Sequence, residues 1–273
     1  MQINLYLAQT LRQATKEVIK NVEVSQNLDL RNFIVVPDRF SLQAEKLLFQ
    51  ELGISSTFNI DVISISKLAS LVLKLSGNQF KTQSNLEGML LVYKILIEHQ
   101  AEFESLKDAN LSIDLAKEIF LTISQLKSCE ISADKFLKSA NELANQKLID
   151  IAKIYSFYEC SEREKIDAAD LITLFAQQIE ESELIKNSNF YFAEFDSFTS
   201  QARTIIQLLV KCSRSVSIAT CSTTGENEYI YEQDVLQKVA QICENLKIKP
   251  NIIICEKNQN EFQKHIADNL FAF

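Results

Sequence analysis

Phe33-Ile34-Val35-Val36, closed by Pro37, is the stretch that most constrains what this chain can become. Four apolar residues in succession fit a strand buried on both faces, the pattern of a parallel sheet covered by helices. Pro37 has no amide hydrogen for the ladder and stops the strand. Residues 38–41 then read as a turn, and Leu42, Glu45 and Phe49 at helical spacings begin a helix. A buried strand that feeds a polar turn and a helix is where open α/β sheets place their ligand contacts.

The same unit recurs on either side. Residues 3–7 read as a strand with a helix over 10–22. A third strand over 60–65 is followed by a helix to Leu75, with Ser66 as its N-cap and Gly77-Asn78 closing it. Three strand–helix units in succession predict a parallel α/β sheet. From Ser84 the period changes to that of helices. Leu86, Met89, Leu90, Tyr93, Leu96 and Ile97 fall on one face, and Ile113, Ala116, Ile119, Phe120, Ile123 and Leu126 on another. Ser132 caps a helix with Phe136, Ala140 and Leu143, and Leu148, Ile151, Tyr155 and Tyr158 mark the next, an aromatic stripe read as core.

After Asp167 the alternation resumes, with strands expected over 189–195, 215–220 and 251–255. Helices are expected after Asp170, after Thr199, from about 228 to 246 beyond a loop at Gly225, and over 261–270. The expected organisation is α/β: a sheet domain in two parts, residues 1–80 and 166–273, with an all-helical subdomain over 81–165 inserted between them. Only four Gly and two Pro in 273 residues agree with long helices and few tight turns.

Charge and cysteine usage exclude some function classes. A net charge of −8 argues against a general basic coat for nucleic acid, though not against a local basic groove. The six cysteines form no C-x-x-C pair, and His99 and His265 have no companions at metal-ligand spacing, so reduced core thiols and no bound metal or cofactor are expected. No segment approaches the roughly 18 apolar residues of a membrane span, and the N-terminus lacks a signal-like run, so a cytoplasmic chain without membrane contact is expected.

Three places could carry chemistry. The first strand-to-helix turn is where a nucleotide-binding sheet carries G-x-x-x-x-G-K-[ST], whose glycines let backbone N–H groups approach phosphates. Here it reads Ala8-Gln9-Thr10-Leu11-Arg12-Gln13-Ala14-Thr15; the glycines are gone, Ala14 stands at the lysine position, and only Thr15 matches. A second nucleotide element would end a strand in acids that hold magnesium and polarise water. In Phe192-Ala193-Glu194-Phe195-Asp196, Ala193 occupies the metal-ligand place if Glu194 is the base, and Glu194 or Asp196 reads more simply as a solvated turn acid.

Arg39, Ser41 and Gln43 follow the second strand, and Ser64, Ser66 and Lys67 the third. Such hydroxyls, amides and cations at one sheet edge are the groups that hold phosphate backbones without reading sequence. Plain turn and capping chemistry explains Ser41 and Ser66 equally well. No Ser/His/Asp or Cys/His constellation is arguable with these two histidines.

The chain also resembles a known family. Val36-Pro37-Asp38-Arg39-Phe40-Ser41-Leu42-Gln43-Ala44-Glu45, followed by Val62-Ile63-Ser64-Ile65-Ser66-Lys67-Leu68-Ala69, is similar to the N-terminal part of AddB and RexB, second subunits of bacterial AddAB-type helicase–nucleases. Gln125-Leu126-Lys127-Ser128-Cys129-Glu130-Ile131-Ser132 looks like a further family segment, as does Lys147-Leu148-Ile149-Asp150-Ile151 with Ile154, Tyr155 and Tyr158. Phe195, Phe198 and Thr199 match a strand end in which Ala193-Glu194 replace Asp-Gly.

The resemblance implies a RecA-like fold of superfamily 1 helicase type, split by a helical insertion and acting beside an AddA-type motor. It implies that the module channels single-stranded DNA without being a motor itself. The nuclease domain and iron–sulfur cluster that complete family members lie outside these residues and are not assigned to them. A docking module that touches the motor and no DNA is the alternative. An active ATPase would require the missing lysine and glycines.

Overall fold

The computed structural model describes residues 2–23, 30–54, 56, 58–78, 80–161, 164–221 and 232–255. In chain order it begins with β1 (Ile3–Ala8), α1 (Leu11–Lys20), β2 (Arg31–Val35), a 3-10 turn (Asp38–Phe40), α2 (Ser41–Leu52), β3 (Ile60–Ile63) and α3 (Ile65–Leu75). There follow β4 (Lys81–Thr82), α4 (Asn85–Glu98), α5 (Ile113–Ser128), α6 (Ala133–Glu142), α7 (Gln146–Cys160), β5 (Lys165–Ile166) and α8 (Ala168–Gln178). The rest is α9 (Glu183–Lys186), β6 (Ser188–Phe192), α10 (Ser200–Cys212), β7 (Ser215–Cys221), α11 (Glu232–Leu246) and β8 (Asn251–Ile254). The helix expected over 261–270, the loop at Gly225 and the start of the helix expected at 228 lie outside the described residues.

The chain divides into two compact units, one of Met1–Ser64, Glu183–Phe198 and Leu209–Phe273, the other of Ile65–Ser182 and Thr199–Leu208. In the first, six strands form one sheet in the order β3-β2-β6-β7-β1-β8. Every neighbouring pair is parallel. The parallel sheet expected from the strand–helix alternation is therefore present.

The Phe33–Val36 run lies next to the middle of that sheet. Phe33, Ile34, Val35 and Val36 have no exposed surface, and complete burial of side chains of this size is worth about 1.5–3 kcal/mol each. Phe33 stacks on Phe190 of β6 with ring centroids 5.4 Å apart. At the amino ends of the strands the register is tied by buried polar groups. Asn189 donates to Asn32 Oδ1 at 3.0 Å, and the Ser215 hydroxyl donates to Asn189 Oδ1 at 2.9 Å. These residues sit opposite one another across β2, β6 and β7. A one-residue slip would orphan them all.

The second unit is built on helices with a short β4–β5 ladder. Its core contains Val92, Ile95, Leu96, Ala116, Ile119, Phe120, Ile123, Tyr155 and Tyr158. The aromatic stripe is thus core, as expected. The α4 seam differs from the expected face: Gly88, Val92, Ile95 and Leu96 are buried, while Leu86, Leu90 and Ile97 are exposed. Gly88 supplies the reason, because a Cβ there would stand 2.3 Å from the Phe120 ring. The glycine face lets α5 approach closely, and packing rotates toward it.

Two expected caps also move by a few residues. The helix after β3 begins at Ile65, so Ser64 precedes it and Ser66 lies in its first turn. Asp167, rather than Asp170, caps α8 by accepting the backbone N–H groups of Ala169 and Asp170. Gly77-Asn78 does close α3: Gly77 has φ 79°, and Asn78 N–H reaches Leu73 O at 3.1 Å. None of the six cysteines is in a disulfide, but Cys129 and Cys160 are exposed and only Cys243 is buried, so core thiols describe one of them.

Candidate functional site

The carboxyl edge of the sheet brings together the turns that follow β3, β2 and β6, since β2 lies between the other two strands. After β2, Pro37 leads into the 3-10 turn, which places Arg39 at the surface. Its guanidinium lies 4.7 Å from the centre of the Phe40 ring and donates through Nη2 to Asp196 Oδ2 at 2.9 Å. Both side chains are about two-thirds exposed (67% and 65%), so the pair is solvated and adds little stability. A guanidinium holds five N–H donors, and a second acceptor such as a phosphate oxygen can be taken by those left over.

Ser41 opens α2, and its buried hydroxyl has no hydrogen-bond partner. Gln43 is exposed one turn into the helix, whereas Ser64 is buried beyond the end of β3. Ser66 and Lys67 belong to the second unit, in the first turn of α3, where Lys67 is exposed and the Ser66 carbonyl accepts from the Ser70 hydroxyl.

The two nucleotide-type elements end on β1 and β6, with β7 between them. Thr10 caps α1 by accepting the Gln13 amide. Ala14 and Thr15 are fully buried. Ala14 packs in one hydrophobic cluster with Ala193, Val36 and Ala219. The place from which a lysine would reach a phosphate is therefore filled by a methyl group against the core. The Thr15 hydroxyl is buried and unpartnered, shut off from any ligand at the edge.

Ala193 still donates its amide to Val35 O, which extends the pairing one residue past β6. Glu194 follows with φ 61°, a left-handed conformation natural to glycine, and is only 8% exposed. The reading of a solvated turn acid therefore holds for Asp196 and not for Glu194.

A second polar cluster lies in the helical unit and was missed from sequence. The Lys127 ammonium is buried on α5, 2.9 Å from Glu159 and 2.7 Å from both Asp167 and Asp170. Burial works against its charge, but the hydrogen bonds it donates to Asp167 and Asp170 outweigh that and hold its pKa above the ordinary lysine value. Asp170 is shifted upward, first by burial and then by the charge of Asp167, against the pull of Lys127. The Tyr158 hydroxyl reaches Gln83 at 2.9 Å and Asp167 at 3.3 Å.

The oxygens of Glu159, Asp167 and Asp170 are close enough to one another to hold a cation. The lysine already supplies that positive charge. A signal was present in the sequence: Lys127 continues the apolar stripe of Ala116, Phe120 and Ile123 at helical spacings, where a lysine must be buried with partners.

The neighbouring family-like segments are equally structural. The Tyr155 hydroxyl donates to Ile131 O at 3.1 Å, tying the Gln125–Ser132 stretch to α7. Asp150 accepts the Ser105 amide and hydroxyl at 2.7 and 2.5 Å and the Glu104 amide at 3.2 Å. Burial opposes its charge, but these bonds prevail and hold its pKa below the usual carboxylate value. Among the described residues, no helix is long and apolar enough to cross a membrane.

The sequence model of the family described as "ADDB, N-terminal" matches residues 12–269. Clostridium botulinum strain Hall carries a similar protein, named as a subunit of an ATP-dependent helicase/deoxyribonuclease, 26% identical over 93% of this chain and 24% of that protein. Proteins of the same name in Clostridium kluyveri and Oceanobacillus iheyensis are 27% and 26% identical, over 91% and 79% of this chain. The chain spans about a quarter of the length of these curated relatives (24% and 20% in the same two).

Proposed function

The chain belongs to the ADDB N-terminal family, and from that premise we propose that it is a non-catalytic, helicase-like segment of an AddB/RexB-type subunit. In this reading residues 1–80 and 166–273 form a RecA-like sheet domain of superfamily 1 type, and residues 81–165 an inserted helical subdomain. The segment binds single-stranded DNA and an AddA-type motor subunit in the cytoplasm during double-strand-break repair and recombination, and it turns over no ATP.

The observation that carries this reading is the packing of Ala14 and Ala193 into one core cluster, at the two positions where nucleotide chemistry would need a lysine and a carboxylate. The DNA contacts are proposed at Arg39, Ser41, Gln43, Ser64, Ser66 and Lys67. Of these, Arg39, Gln43 and Lys67 have the exposed side chains. The net charge of −8 favours the alternative, a docking module that holds the motor subunit and no DNA.

Fluorescence anisotropy with a labelled oligothymidylate separates the two. Binding that falls steeply with salt, and is weakened about tenfold in Arg39→Ala/Lys67→Ala, supports strand binding through phosphate contacts. Absence of binding at low salt removes the DNA role and leaves the docking module.

A further inference from the structure

We infer that the cleft between α1 and α2 is a phosphate-binding site, and that it extends the proposed strand contact away from the carboxyl edge along the outside of the sheet unit. The cleft has a volume of about 250 Å³ and is lined by Arg12 of α1 and by Gln43, Lys46, Leu47 and Gln50 of α2. The α2 residues follow a helical stripe, so one face of that helix is turned into the cleft. Leu47 is buried beneath it, and the four polar side chains are exposed. Among the described residues, no carboxylate lines it.

The charge pattern along the two helices sets the upper end of the cleft apart. Further along α1, Lys16 pairs with Glu51 at 3.3 Å, and Lys20 pairs with Glu17 at 2.7 Å and lies 4.0 Å from Glu51. Arg12 and Lys46 have no ion-pair partner among the described residues. Two unneutralised cations and two primary amides in one cleft are an unexpected local surplus in a chain of net charge −8. An arginine fork and a lysine point charge suit phosphate oxygens, and glutamine amides add neutral donors. Two cations and two amides that can all donate hydrogen bonds to one anion make a phosphate oxyanion the ligand class. We assign it to the backbone of the single strand in the reading above, on which this inference rests for its natural ligand.

The test uses the full chain with two probes, labelled oligothymidylate and inorganic pyrophosphate. Arg12→Gln/Lys46→Gln is compared with Lys117→Gln/Lys138→Gln, which removes the same charge from exposed lysines on α5 and α6. The cleft pair is expected to weaken oligothymidylate binding about tenfold at low salt and to flatten the salt slope by about 1.4. It should also abolish pyrophosphate binding, whereas the control pair changes neither, and Arg12→Lys/Lys46→Arg retains both.

Equal weakening by both pairs would reduce the effect to overall charge and overturn the inference, as would a wild type that binds neither probe. Oligothymidylate binding lost in Arg39→Ala/Lys67→Ala but intact in the cleft pair overturns the cleft and keeps the strand-binding reading. Pyrophosphate binding that depends on Arg12 and Lys46, without oligothymidylate binding, keeps the anion site and removes that reading.

Discussion

Two cations in this chain sit in opposite settings. Lys127 is buried among three carboxylates, with its side chain only 7% exposed. Arg39 meets one carboxylate at the surface, where both partners are mostly in water. Both belong to segments that mark the family, yet they work differently. Removing a buried partner strands uncompensated charge, whereas an exposed pair exchanges its contacts with water at little cost. Resemblance of sequence therefore does not say whether a residue holds the protein together or faces a ligand.

The largest expected effect comes from breaking the buried side of this comparison. Lys127→Met should lower the unfolding free energy by about 3–5 kcal/mol in urea titration, while Arg39→Ala stays within about 0.5 kcal/mol. A loss below about 1 kcal/mol for Lys127→Met would erase the distinction, because the cage would then be as slack as a surface pair.

Glu194→Gly comes next and acts in the opposite direction. Glu194 holds φ 61°, a conformation natural to glycine, and a left-handed non-glycine residue costs about 1–2 kcal/mol. The variant should raise the thermal midpoint. An unchanged or lower midpoint would mean that the side chain itself stabilises this turn.

The smallest effect concerns an exposed contact that resembles the Arg39 pair in exposure but not in geometry. Glu87 forms a capping box with Ser84 and also meets Lys165. The Lys165 ammonium first, then the Ser84 amide and hydroxyl, lower its carboxyl from 4.5 to about 2. A depressed acid contributes stability above its unfolded pKa and loses it as pH falls through the folded value. That contribution is therefore complete above 4.5 and gone below about 2. Carboxylate chemical shifts followed by NMR should give a midpoint near 2, and a midpoint at the ordinary value would show that these contacts do not persist in solution.

Much of the sheet was legible because periodicity and punctuation are local. The Phe33–Val36 run with Pro37 gave β2, and the helix expected from the spacing of Leu42, Glu45 and Phe49 runs from Ser41 to Leu52. The α4 face was not legible, because the choice between Leu86–Leu90–Ile97 and Gly88–Val92–Ile95 depends on which neighbour approaches. Phe120, distant in sequence, makes that choice. The cap of α8 was not legible for a similar reason: Asp167 and Asp170 are both capable acids, and each also answers to Lys127 from another helix.

The candidate site shows the same division. The missing lysine and glycines at Ala8–Thr15 are facts of composition that no packing can restore. That Ala14 and Ala193 share one core, that Arg39 reaches Asp196, and that Arg12 and Lys46 line one cleft depend on the strand order. The sequence by itself determined the strand–helix alternation and the family resemblance, because each is written in neighbouring residues. Only the tertiary structure decided which charges are buried, which are paired and which remain available, because burial and pairing join residues that are far apart along the chain.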